Sequence, residues 1–259
     1  MEGDEPHQVG ATAARSWSLG DAAVTAGVSL SAGQTTKLRT FRDLLLEWNI
    51  HTNLTAITDP TAVERRLILD ALRMIPTIDA FSDGSLRLAD VGSGAGFPGL
   101  VLHIARPDLG VTLIEATGKK VAFLRHVIAT LDLTGIEAIH ARAEEIGRDP
   151  AYRAQFDLVT ARAVASLPAL LELCLPLLRT GGRALFPKSL GVGEELATGK
   201  RVAPLLGGRV SDTSAVFAAL EIDDIATQLV AVDKVATTPD RFPRRAGLPA
   251  RAPLGGAAT

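Results

Sequence analysis

The chain has 259 residues, of which 47% are hydrophobic and only 4% aromatic, and a formal net charge of -2. This length and hydrophobic share suit a buried, mainly aliphatic core and exclude a disordered chain. The near-neutral balance excludes a polycation that coats nucleic acid, while leaving room for a local basic patch.

Residues 1–33 read as a flexible N-terminal tail, acidic at Glu2, Asp4 and Glu5, without the basic and apolar regions of a signal peptide. No run of ~18 apolar residues occurs, so a soluble cytoplasmic protein without membrane association is expected. Residues 34–80 form a helical extension: Leu38, Phe41, Leu44, Leu45 and Trp48 recur at three- and four-residue steps. A second helix is expected over 62–74, capped by Asp59 or Thr61 after Pro60.

From about residue 81 to 240 the texture alternates. Strands are expected at 86–91, 111–115, 136–141, 156–160 and 183–187, with helices starting near Phe97 and spanning 119–131 and 167–178. Gly181 and Gly182 are expected to turn the chain, 190–212 is poorly patterned, and 215–222 with 228–234 read as a closing pair of strands. Such alternation implies an α/β fold with a parallel sheet covered on both faces. The single cysteine, Cys174, sits in an apolar stretch and reads as a core residue; the five histidines show no metal-ligand spacing, so no metal is expected.

Asp90-Val91-Gly92-Ser93-Gly94-Ala95-Gly96-Phe97-Pro98-Gly99 carries the chemistry. Gly92, Gly94 and Gly96 after a first strand let the backbone bend and approach a ligand. The stretch from Gly94 to Gly99 fits the dinucleotide pattern, whereas Asp90 followed by three alternate glycines fits a pocket for S-adenosyl-L-methionine. A dinucleotide presents pyrophosphate, which a carboxylate at the strand end repels; S-adenosylmethionine presents an ammonium and a sulfonium. Asp90 therefore favours the methyl donor. Glu115 ends the second strand, where a carboxylate accepts ribose hydroxyls in either fold type.

Absent residues narrow the methyl acceptor. Thr160-Ala161-Arg162-Ala163 replaces the Pro-Pro-aromatic turn of amine methyltransferases, and Cys174 is no exposed nucleophile. Arg162 stands where ribose methyltransferases place an acid. Guanine N7, whose lone pair carries no proton, fits best by elimination. A small-molecule methyltransferase and an NAD-binding oxidoreductase stay open as alternatives.

Five blocks resemble the bacterial small-subunit rRNA guanine-N7 methyltransferases, also called glucose-inhibited division protein B. They are Trp48-Asn49 with Asn53-Leu54-Thr55; residues 90–99; Lys119-Lys120 and Phe123-Leu124 with Arg142-Ala143-Glu144-Glu145; Phe156-Asp157 with Arg162-Ala163; and 242–249 with Pro253-Leu254. The resemblance implies a class I S-adenosylmethionine-dependent methyltransferase with a Rossmann-like, mostly parallel seven-stranded sheet. It further implies methylation of N7 of the guanine at position 527, in the 530 loop of 16S rRNA within the 30S subunit. Cofactor contacts carried over from the family fall on Gly92, Phe97, Ala143, Glu144 and Arg162, with Arg162 also a candidate for substrate positioning. Leu67, Ala71 and Ser189 depart from the family pattern.

Residues 241–259 read as a basic C-terminal tail. From 233 to 259, Lys234, Arg241, Arg244, Arg245 and Arg251 outnumber Asp233 and Asp240. Arg244 and Arg245, with Lys188 after the fifth strand, are the expected rRNA contacts. No heptad seam is present, and a monomer is expected.

Overall fold

The structure is a computed structural model describing residues 17–82, 84–162, 164–189, 191, 193–211 and 227–256. The first described segment corrects the N-terminal boundary. Leu19–Thr25 forms helix α1, whose N-cap Ser18 accepts a hydrogen bond from the Asp21 N–H. Leu19 and Ala23, one turn apart, are buried, and the Trp17 indole donates to Glu64 at 3.2 Å. Two buried residues are too few to show as periodicity.

Helix α2 (Ala32–Asn49) starts earlier than its apolar pattern because Ser31 and Gln34 form a capping box. Its buried stripe is Leu38, Phe41 and Leu45. Asp59 caps α3 (Pro60–Val63), which runs through a π turn (Glu64–Ile68) into α4 (Leu69–Leu72); α5 (Ile75–Phe81) follows.

Next come β1 (Arg87–Val91), α6 (Gly99–Ala105), β2 (Gly110–Glu115), α7 (Gly118–Thr130), β3 (Ile136–His140), α8 (Ala143–Ile146), β4 (Phe156–Thr160), α9 (Leu167–Cys174), β5 (Leu178–Ser189), α10 (Gly193–Val202), β6 (Gly208–Val210), β7 (Thr227–Lys234) and α11 (Leu248–Arg251). Among the described residues the seven strands form one sheet in the order β3-β2-β1-β4-β5-β7-β6. β1 to β5 are parallel; β7 runs antiparallel to β5 and to β6.

Side chains alternate across this sheet as the strand period requires. Leu88, Leu113, Leu158 and Leu185 enter the core shared with α1, α2, α6 and α7. Ala89, Ile114, Val159 and Ala184 enter the opposite core, with α9 and Cys174. Both faces are thus buried, which explains the near-continuous apolar strands.

Two sequence expectations are corrected here. Gly181 and Gly182 lie within β5, where a register irregularity between Phe156 and Leu158 of the paired strand absorbs them. A Cβ on Gly182 would sit 2.7 Å from the Asp157 carbonyl oxygen. The unpatterned 190–212 region contains α10 and β6; α10 buries only Gly199 and Val202, so its apolar signal is weak. The expected strand at 215–222 lies outside the described residues, and β7 pairs with β5 and β6.

The C-terminal segment through residue 256 is packed instead of forming a loose tail. Phe242 is buried, and the Arg153 guanidinium donates to the carbonyls of Thr238 (2.7 Å) and Phe242 (2.9 Å). Composition alone suggested solvation; fixed carbonyls and a buried ring hold the segment down.

Candidate methyl-donor cleft

The chain passes from β1 to β2 on one side and reaches β4 on the other, so the strand order reverses beside β1. In open α/β sheets ligands bind outside the carboxyl ends of the strands at such a reversal. A cleft of about 450 Å³ lies there, with Gly92, Gly94, Glu115, Ala143, Glu144 and Arg162 among its lining residues. Another, of about 600 Å³, is lined by Arg153, Pro176, Lys234 and Thr238 and by none of the expected cofactor residues.

The glycine loop is built by its own backbone. The N–H groups of Gly92 and Ser93 both donate to the Ile114 carbonyl, at 2.8 and 3.1 Å, pinning the end of β1 to β2. Gly92 has φ +71°, and a Cβ there would lie 2.6 Å from Val164 Cγ2. Gly94, at φ +55°, has no atom within 3.4 Å of its would-be Cβ; its bare backbone faces the cleft.

Glu115 joins this loop to the end of β2. Its Oε2 accepts the Gly94 N–H at 3.0 Å and its Oε1 accepts the Thr117 N–H at 2.7 Å. Each carboxylate oxygen keeps a further lone pair, the arrangement a vicinal diol needs. Glu144, at the start of α8, accepts the Gly247 N–H at 2.7 Å. Arg162 donates from Nη2 to the Arg66 carbonyl at 3.0 Å, and its Nη1 lies 3.4 Å from Asp70 Oδ2. The π turn thereby offers the carbonyl that steers this guanidinium.

Other expected residues sit elsewhere. Asp90 is fully buried behind the loop, so it does not face a ligand as the sequence suggested. Its Oδ2 accepts the Gly99 N–H at 3.0 Å, tying α6 to β1, while Oδ1 has no hydrogen-bond partner among the described residues. Burial pushes its pKa up to about 7, against the opposing pull of the Gly99 hydrogen bond. The acids on the cleft are Glu115 and Glu144 instead. Gly96 and Phe97 do not line the cleft; the Phe97 ring packs 5.1 Å from that of Phe41, between the extension and the sheet.

Two expected rRNA contacts, Lys188 and Arg244, are engaged within the fold. Lys188 pairs with Glu195 at 2.6 Å and donates to the Ala165 carbonyl at 3.1 Å. Arg244 grips the wholly buried Glu172 through Nε and Nη2 at 2.6–3.0 Å. Each charge is already matched by an acid that the sequence could not place next to it. Arg245 is exposed. Sequence reasoning also missed Val164, Leu173, Gly247 and Ala250 in the lining.

Comparison with known proteins decides the kinship. The model of rRNA small subunit methyltransferase G (GidB) matches residues 34–221. The chain belongs to this family. Its relatives include ribosomal RNA small subunit methyltransferase G of Chloroflexus aggregans, 47% identical over 88% of this chain and 93% of that protein. The Roseiflexus sp. protein of the same name is 45% identical over 88% of this chain and 95% of its own length. A solved structure of an MtNAS mutant with S-adenosylmethionine aligns at TM-score 0.51 and 16% identity, over 76% of this chain and 73% of that one. That likeness shows the fold alone, a mostly parallel seven-stranded sheet with helices on both faces.

Proposed function

We propose that this chain transfers the methyl group of S-adenosyl-L-methionine to N7 of a guanine in 16S rRNA, the guanine at position 527 in the family's pattern. One observation supports it above the rest. The cleft at the strand reversal combines an open glycine backbone with two acids, Glu115 and Glu144, which can accept the ribose hydroxyls and face the ammonium of the donor.

When bound, S-adenosylmethionine supplies an electrophilic methyl carbon on a positively charged sulfur. Glu115 accepts the ribose hydroxyls, its orientation fixed by the Gly94 and Thr117 N–H groups. The backbone at Gly94 admits the donor closely because no side chain stands there, while Val164 packs against Gly92. Arg162 orients the donor or the target base, itself aimed by the Arg66 carbonyl and Asp70. Among the described lining residues there is no His, Cys, Ser, Thr or Tyr, and both acids already accept backbone N–H groups. Guanine N7 needs no base to remove a proton, so placement in line with the methyl group suffices.

The rRNA approaches over a basic rim that includes Arg142, Lys120 and the exposed Arg245. The protein acts as a monomer in the cytoplasm on 30S particles. Incubation with methyl-labelled S-adenosylmethionine and 30S subunits from a strain lacking the protein tests this. Label mapping to N7 of a single guanine is expected. Label on another atom, or heat with a nicotinamide dinucleotide and none with S-adenosylmethionine in calorimetry, refutes the reading.

A further inference from the structure

Arg244 is held by more than its charge. Its backbone N–H donates to Glu172 Oε1 at 2.7 Å, Nε to both carboxylate oxygens at 2.8 and 3.0 Å, and Nη2 to Oε2 at 2.6 Å. Nη2 also donates to the Ala252 carbonyl at 2.8 Å, closing the segment on itself. Glu172 lies on α9 with no solvent exposure, between Leu171 and Leu173 of the apolar core. A carboxylate there is costly unless paired, and an apolar pair of equal volume would serve stability as well or better. What the charged pair adds is direction: main chain and side chain of Arg244 are fixed together. Two further ties bracket it, the Arg153 guanidinium on the Phe242 carbonyl and Glu144 on the Gly247 N–H.

Held by these ties and by the Arg244 bond to the Ala252 carbonyl, the chain presents Gly247 and Ala250 to the same cleft that holds Gly92, Gly94 and Glu115. Ala143, Leu173 and Ala250 make this side apolar, the surface that a flat purine base requires. We infer that residues 242–251 form one wall of the methyl-donor site, and that Glu172 and Arg244 are positioning residues that hold this wall. The segment then governs donor affinity, whereas composition had assigned it to rRNA. This inference rests on reading the cleft as the donor site.

The test uses the full chain, with S-adenosylhomocysteine as probe in calorimetry and both Michaelis constants measured in methyl transfer. Ala250→Trp is the decisive variant, because Ala250 lines the cleft and is exposed, outside the buried core. Its dissociation constant for S-adenosylhomocysteine should rise at least about tenfold. The KM for the donor should follow, with the KM for 30S subunits unchanged. Arg244→Ala should show the same split, and Arg244→Lys should recover part of the loss, since an ammonium keeps the charge without the two-pronged grip. Saturating S-adenosylhomocysteine should slow trypsin cleavage after Arg245 and Arg251. An Ala250→Trp protein with unaltered donor affinity, or with a raised KM for 30S alone, overturns the wall. Failure of the unsubstituted chain to bind S-adenosylhomocysteine overturns the donor-site reading and the wall with it.

Discussion

Asp90→Asn isolates the cost of a buried acid that holds the loop from behind. Asp90 is wholly buried, and burial raises its carboxyl pKa from 3.8 to about 7. The folded protein therefore holds a proton that the unfolded chain releases. The associated stability is fully present below about pH 4, falls as pH rises toward 7, and is constant above that. A shift of about 3 units at ~1.4 kcal/mol each gives a loss of about 4 kcal/mol over that window. Asparagine stays neutral and keeps an oxygen for the Gly99 N–H. Its amide N–H groups find no acceptor, which adds a pH-independent offset of about 1–3 kcal/mol. The informative quantity is hence the slope of the difference between the two proteins. Urea unfolding at intervals from pH 4 to 8 should show the unsubstituted chain losing about 4 kcal/mol relative to Asp90→Asn. Other titrating groups are common to both and cancel. A difference that stays constant across this range would refute an uncompensated carboxyl behind the glycine loop.

Three other outcomes follow from the same contacts. Glu115→Ala should raise the dissociation constant for S-adenosylmethionine by about ten- to a hundredfold in calorimetry, through lost hydroxyl acceptors and a slackened Gly94. Arg245→Ala should leave the melting temperature within about a degree or two while reducing the salt slope of 30S binding by about 0.7–0.9; Arg244→Ala should instead lose about 3–5 kcal/mol of stability with that slope unchanged. Lys234 is buried beside the Leu206 carbonyl and Thr238, and burial lowers its pKa to about 7. Its contribution is present above about pH 10 and is lost as pH falls through 7, so Lys234→Met should stabilise the protein most below pH 7, measured by thermal melts.

The sheet and its glycine loop were readable because their causes are local. β1, β2 and β4 are short, mostly buried runs rich in aliphatic residues, and Gly92 to Gly96 announce a bend that few other residues allow. The helix α1 escaped notice because two buried side chains carry it, and α10 because glycine and charged residues dilute its buried side. The site was half legible for a related reason. Gly92, Gly94, Glu115, Ala143, Glu144 and Arg162 follow strand ends, a position that sequence order reveals, and they do meet at one cleft. Which carboxylate faces that cleft was not legible: depth behind a loop leaves no trace in spacing, so Asp90 and Glu115 looked alike. Charge matching was hidden too, since Arg244 and Glu172 stand 72 positions apart and each appears unpaired until the fold joins them.

Gly247 meets Glu144 from 103 positions downstream, and the glycine loop lies earlier still. Synthesis therefore delivers this pocket in instalments. At roughly 5–20 residues per second, about 8 to 30 s pass between the emergence of residue 92 and that of residue 250. A translation product stopped just after β7 would possess all seven strands and still present a half-open recess. With residues 242–251 as a wall of the donor site, competence to take up the small ligand waits on the synthesis of this segment.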